Sequence, residues 1–210
     1  MSRLQEHLPP DHELVARVLQ GEQQAFEIIM RASAGLVAHV VYRLISKVED
    51  REDLTQDIYL KVYRQLPRFE FRSRLNTWIG RIAYTTCLNY LKKKKLLLIG
   101  AGTYEDGNGD GAGDDGASWL AKNYFEGMGN SENPEKRLLG KEIEFYINDS
   151  LEQLQPLQQL LIVLHHQQEM GIQEIAGIVE MPEGTVKSHL FRARKSMKSF
   201  LVKKLKKDEL

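Results

Sequence analysis

MGIQEIAGIVEMPEGTVKSHLFRARKSMK, residues 170–198, decides the fold class of this chain. A short apolar-periodic helix over 172–179 runs into a tight turn. Pro182 then opens a second helix, predicted to reach about Lys204. Ile172, Ile175 and Ala176 face inward on the first helix, and Ala176 is small enough for a close helix crossing. Val179 and Met181 frame the turn, and Val186 and Leu190 pack back from the second helix. From Thr185 to Lys207 there are nine Lys or Arg and no Asp or Glu. A compact helix-turn-helix with an acid-free second helix suits a DNA major groove. Thr185, Lys187, Ser188, His189 and Arg192 are left for base edges and phosphates, and Arg194, Lys195 and Lys198 for phosphates alone. A solvated amphipathic helix is the plain alternative, but it leaves the turn, the proline and the charge asymmetry unconnected.

Upstream, periodicity predicts helices over 11–19, 24–44, 50–66, 74–97, 135–154 and 156–168. Asp11 is a candidate cap for the first. Acids at Glu49, Asp50, Glu52 and Asp53 open the third, and Pro67 ends it. Leu75, Trp78, Ile79, Ile82, Ala83 and Leu88 form the buried stripe expected of the fourth. No alternating strand pattern of useful length occurs. The chain therefore reads as all-α, with two small helical domains over 1–97 and 135–210. A flexible acidic Gly/Asp-rich linker over 98–134 joins them, with seven Gly between Gly100 and Gly116. Each domain is near the lower size limit for a stable core, so docking on a larger partner is expected.

Lys plus Arg and Asp plus Glu are equal at 29 each, and the net charge is zero. The charges are nevertheless segregated. Arg43 to Lys95 carries thirteen basic and six acidic residues, whereas Leu96 to Glu135 carries eight acids and one lysine. Such blocks imply separate surfaces with separate tasks. Hydrophobic residues make up 42% of the chain, which argues against wholesale disorder.

Cys87 is the only cysteine. It excludes an internal disulfide, fits a reducing compartment, and reads as a small buried filler. The N-terminal segment has no apolar run of a signal peptide, and membrane insertion is not expected. The terminal KDEL reads as a chance helix end. Asp106, Asn108, Asp110, Gly111 and Asp114 mimic part of a calcium loop, but Ala117 stands where a bidentate glutamate is required. The adjacent His165 and His166 lack the companions that zinc needs. No metal, cofactor or catalytic acid–base pair is indicated, and the chain is not expected to be an enzyme.

Residues 68–95 mix cations with rings. Arg68, Arg72, Arg74 and Arg81 can follow a phosphate backbone, while Phe69, Phe71, Trp78 and Tyr84 offer faces for unstacked bases. Phe69 and Trp78 also fit a core. Lys92 to Lys95 can touch phosphate or simply end a solvated helix.

PEGTVKSHLFRAR at 182–194 resembles the promoter-binding segment of extracytoplasmic-function (ECF) sigma factors of the bacterial sigma-70 family. A second resemblance is independent of the first. ELVARVLQGEQQAFE at 13–27, EDLTQDIYLKVYRQLPRF at 52–69 and LNTWIGRIAYTTCLNYLKK at 75–93 resemble the family's other conserved domain, in order and at its spacing. The resemblance implies a cytoplasmic sigma factor that directs core RNA polymerase to promoters and assists melting. It implies that Asp53, Leu54, Gln56, Asp57, Leu60 and Tyr63, with Tyr59, meet the beta-prime clamp helices. It places Arg68, Phe69, Phe71, Arg72, Arg74, Asn76, Trp78, Arg81, Tyr84, Thr85, Lys92 and Lys93 at the −10 element, with a flipped base received by the 69–76 loop. The helix-turn-helix would read the −35 duplex, and the linker would thread past the active-centre cleft. Implied partners are core polymerase through its beta-prime and beta subunits, duplex and single-stranded promoter DNA, and an anti-sigma factor. Thr85 and His189 depart from the common pattern, where many relatives carry asparagine and arginine, so base preference is open. Rival readings are a stand-alone two-domain regulator and a regulatory interaction protein that does not bind DNA.

Overall fold

The computed structural model describes residues 9–100 and 145–208, with side chains over 9–96 and 145–204. All regular elements among them are helical: α1 (Asp11–Leu19), α2 (Gln23–Leu44), α3 (Val48–Gln65) and α4 (Leu75–Gly100), then α5, described over 145–152, α6 (Pro156–His166), α7 (Ile172–Val179) and α8 (Glu183–Asp208). The linker 98–134 lies almost wholly outside the described residues, as do its partial calcium pattern, the predicted start of the fifth helix, and Glu209 and Leu210 of the terminal KDEL.

The sequence explains the helix ends. Helix α1 buries Leu14, Val15 and Val18 and places Asp11 and Glu13 in its first turn. It stops at Gly21, whose φ of 91° suits glycine. Arg17 then donates to Glu22 at 2.8 Å, closing the corner into α2. Asp11 does not cap its own helix. Its carboxylate accepts the Leu75 N–H at 2.8 Å and so caps α4, 64 residues downstream.

Helix α2 forms the spine. Ala25, Ile29, Leu36, Val37, Val40 and Val41 are buried along it. It is long enough, and at a mean hydropathy of 1.3 over an eighteen-residue window apolar enough, to span a bilayer. That qualifies the sequence reading. Here its apolar face packs in the protein core instead. Tyr59 on α3 donates to the Met30 carbonyl at 3.1 Å and lies 3.3 Å from the Ser33 hydroxyl, pinning α3 across α2.

Helix α6 is apolar on every side: Leu160 through Leu164 are all buried. A helix apolar all round needs neighbours all round. It is held between α2 and α8. Helix α7 packs on α4, so the buried side chains of both halves join one continuous cluster.

Candidate nucleic-acid interface

The helix-turn-helix is α7, a turn at Glu180–Pro182, and α8. Glu174 reaches back to the Gly171 N–H at 3.0 Å, giving one half of a capping box. Glu180 ends α7 in the left-handed region at φ 54°. The Pro182 carbonyl accepts the first bonds of α8, from Thr185 and Val186. Val186, Leu190 and Ala193 are buried, with half-buried Met197 continuing the stripe one turn on.

The opposite face of α8 is open. Lys187, Ser188, Arg192, Arg194, Lys195 and Lys198 are exposed, and Thr185 is half-buried. The Ser188 hydroxyl donates to the Gly184 carbonyl at 2.9 Å, and Arg192 Nε donates to the Ser188 carbonyl at 3.3 Å. These bonds hold two polar side chains along the helix surface. Arg194 lies 3.2 Å from His166 Nε2, which ties it to the end of α6. Burial, with Arg194 and His165 nearby, pulls the His166 ring below its ordinary range. His189 is half-buried and its Nδ1 is enclosed without a partner, so only part of the ring faces outward.

Phe191 was missed by the sequence reading. It is 68% exposed in the middle of this basic face. Its position, one turn beyond Ser188 and one turn before Lys195, placed it opposite Val186 and Leu190. An apolar residue is assigned to a core by default, and here only the helical face tells otherwise.

The basic–aromatic segment follows a single 3₁₀ turn at Leu66–Arg68. Three rings form a ladder. Phe71 lies 4.7 Å from Phe69, and Phe69 lies 5.1 Å from Trp78, centroid to centroid. Phe69 is buried and Trp78 half-buried, so they support the ladder, while Phe71 is 49% exposed at its tip. Phe71 holds φ at 57°, an uncommon conformation for a bulky residue, which turns its ring outward. Arg68, Arg72, Arg74 and Asn76 are exposed around it. Arg72 pairs with Glu70 at 2.7 Å. A cleft at the start of α4 is lined by Asp11, Leu14, Arg74, Leu75 and Asn76.

Further along α4, Arg81 is exposed and Thr85 half-buried. Tyr84 is buried, and burial followed by the Glu180 carboxylate pushes its hydroxyl up. Cys87 is fully buried, and burial raises its thiol to about 12. Lys92 and Lys93 are exposed at the distal end.

On α3, Asp53, Gln56, Asp57, Leu60 and Tyr63 are exposed along one face, with Leu60 and Tyr63 each 52% open. Leu54 and Tyr59 are buried beneath them. The sequence reading grouped these two with the surface residues, but their side chains hold α3 in place. Phe26 meets Tyr63 edge-on at 5.1 Å and extends the apolar part of the face.

Comparison with known proteins agrees with this geometry. The sigma-70 region 2 family model matches residues 29–96, and the sigma-70 region 4 model matches 145–197. The chain is 32% identical over 189 residues to the ECF RNA polymerase sigma-E factor of Escherichia coli K12, covering 89% of this chain and 92% of that one. It is 31% identical over 191 residues to the ECF RNA polymerase sigma-E factor of Haemophilus influenzae, covering 90% and 94%. It is 27% identical over 190 residues to the RNA polymerase sigma-H factor of Pseudomonas aeruginosa, covering 89% and 91%. The fold is similar to that of CnrH solved with the cytosolic domain of CnrY, at a TM-score of 0.56 and 17% identity, covering 91% of this chain and 96% of that one. It is likewise similar to the sigma factor RpoE solved with the anti-sigma factor NepR from Bartonella quintana, at a TM-score of 0.57 and 19% identity, covering 84% and 96%. With both conserved regions matched in order and near-complete alignment to sigma-E factors, the chain belongs to the extracytoplasmic-function sigma factors of the sigma-70 family.

Proposed function

We propose that three surfaces divide the work of promoter-specific initiation between two domains, 1–97 and 135–210, joined by 98–134. The exposed face of α3, with Asp53, Gln56, Asp57, Leu60 and Tyr63, docks on the beta-prime clamp helices of core polymerase. It joins carboxylates to open apolar area, the combination that gives steering and hot-spot contact together. Leu54 and Tyr59 support it from below. The aromatic ladder and its arginines receive the −10 element. Phe71 stacks on an unpaired base, Arg68, Arg72 and Arg74 follow the phosphates, and the cleft lined by Arg74 and Asn76 takes an extruded base. Arg81, Lys92 and Lys93 extend the path along α4.

The outward face of α8 reads the −35 duplex. Lys187 and Arg192 take base edges, Arg194, Lys195 and Lys198 take phosphates, and Phe191 offers an apolar contact to a thymine methyl. The likeness in fold to the sigma factor RpoE solved with the anti-sigma factor NepR supports an anti-sigma partner for this chain as well. The protein acts in the cytoplasm and is not itself an enzyme, since polymerisation belongs to core polymerase.

One observation carries the reading: an outward ring at the tip of an arginine-flanked ladder, in a chain that also carries a helix-turn-helix. A regulator that only binds duplex DNA has no use for Phe71 in that position. The test is transcription of fragmented genomic DNA by purified core polymerase, with and without the chain, followed by sequencing of RNA 5′ ends. New start sites preceded by two short elements at fixed spacing are expected. Unchanged start sites would reject the reading, and a palindromic operator bound tightly without polymerase would favour a stand-alone regulator.

A further inference from the structure

Lys187, Phe191, Arg194 and Lys198 follow one another at four- and three-residue spacing on α8, so they share one exposed stripe. Within that stripe Arg194 is anchored from another helix. Its Nη2 lies 3.2 Å from Nε2 of His166, the last residue of α6. A guanidinium only donates, so Nε2 is the accepting nitrogen and the proton of the neutral ring sits on Nδ1. Partial burial, then Arg194, then His165 hold the His166 ring below its ordinary range, which keeps the acceptor neutral.

His166 is itself braced. His165 Nδ1 lies 3.0 Å from the Met170 carbonyl, which only accepts, so the N–H of that ring points there. The two imidazoles meet edge-on at 5.0 Å, centroid to centroid. Met170 is buried, and its N–H donates to the Leu164 carbonyl at 3.0 Å, closing the end of α6. A chain of contacts thus runs from the turn between α6 and α7 through both histidines to Arg194. The chemistry of the anchor matters. Arg72 meets the Glu70 carboxylate at 2.7 Å and Arg17 meets that of Glu22 at 2.8 Å, and in both pairs the positive charge is offset. A neutral imidazole fixes a guanidinium without cancelling its charge, and it leaves the other N–H groups free for an anion.

We infer that His166 is a positioning residue for −35 recognition: it holds Arg194 at full charge, ready for a DNA phosphate, before the DNA arrives. A long side chain immobilised only on binding costs entropy at that step, and one already held does not. The inference rests on the assignment of the outer face of α8 to the −35 duplex. It adds to that reading a residue outside the helix-turn-helix, since α6 precedes both of its helices.

A double-mutant cycle tests it. The readout is binding of core polymerase carrying the full-length chain to a duplex with the −35 element of a promoter that the wild type selects, at about pH 8, where the ring is neutral. His166 is exposed, so its replacement spares the core. His166→Ala is expected to weaken binding about fivefold with an unchanged slope against salt concentration, because no charge is lost. Arg194→Ala is expected to lower that slope by about one. Adding His166→Ala to Arg194→Ala is expected to cost nothing further, because the histidine acts only through the arginine. His166→Gln, which carries a neutral amide oxygen to the place of Nε2, is expected to restore most of the affinity.

Wild-type affinity in His166→Ala overturns the inference. So does an equal loss when His166→Ala is added to Arg194→Ala, which would make His166 a direct DNA contact. A His166→Gln variant as weak as His166→Ala overturns it too, since the neutral acceptor would then not be what matters. Wild-type affinity and slope in Arg194→Ala would take Arg194 off the DNA and the inference with it. If the wild type directs core polymerase to no promoter, the sigma-factor reading itself falls first. Parallel measurements with core polymerase alone and with the wild type therefore separate the two failures.

Discussion

Phe71, His39 and Phe191 each break a local rule, and each break has a physical reading. A bulky residue in the left-handed region costs of the order of 1–3 kcal/mol and persists where its surroundings demand it. For Phe71 the return is an outward ring braced by Phe69. Phe191 stands open on a face otherwise made of cations and hydroxyls. If it touches a thymine methyl, Phe191→Ala should weaken −35 binding, and replacing that thymine by uracil should weaken the wild type but not the variant. Equal sensitivity of both proteins to uracil would reject the contact. His39 is buried, and burial followed by the neighbouring Arg43 lowers its pKa to about 4. The sign follows from proton uptake. Between pH 6.5 and 4 the unfolded chain binds a proton at this position that the folded chain refuses. Stability should therefore be full above that window and fall as pH drops through it, by up to ~3 kcal/mol from this group. Urea denaturation of wild type and His39→Leu across that window checks it. A parallel pH dependence in both would assign the loss to other groups.

At the scale of elements, the proposed assignment gives α3 and α8 separable tasks. Reversing Asp53 and Asp57 to Lys should weaken association with core polymerase about tenfold at unchanged helicity, because the steering charge changes sign while the exposed side chains leave the core intact. Unchanged affinity in a titration would remove α3 from the polymerase contact. Replacing Lys187 and Arg192 by Ala should cost about 1–3 kcal/mol of −35 affinity for each true bidentate contact, and a premelted −10 template should restore little of it. Wild-type affinity and salt dependence in that variant would displace the recognition helix from α8. Most of these elements were legible in the sequence. Helix α1 and helix α7 have the boundaries that periodicity predicts, and α2, α3, α4, α6 and α8 differ by a few residues at helix ends, where fraying and capping decide. Contacts across the chain were not legible. Asp11 reads as a cap for the helix it begins, yet it serves α4, because the distance in space between residues 11 and 75 has no local signature. Leu54 and Tyr59 look like their exposed neighbours until α3 is set against α2.

Across the whole molecule, charge segregation in the sequence implies separate surfaces and carries no sign of their relation. Glu174 and Glu180 look like ordinary helix-end acids in the sequence. Only the packing of α7 on α4 sets them on Arg74 and Arg81. The central claim is that this chain gives core polymerase a promoter and opens it through the basic–aromatic segment. Permanganate footprinting of unpaired thymines tests that most directly, on a duplex promoter chosen by the wild-type protein and on a premelted bubble of the same sequence. The comparison is core polymerase alone, with the wild type, and with Phe71→Ala/Arg72→Ala. Reactive thymines at the −10 element are expected only with wild type on the duplex, and the variant should form the closed complex yet recover activity on the bubble. Equal thymine reactivity for variant and wild type on the duplex, or none for either, would contradict the account.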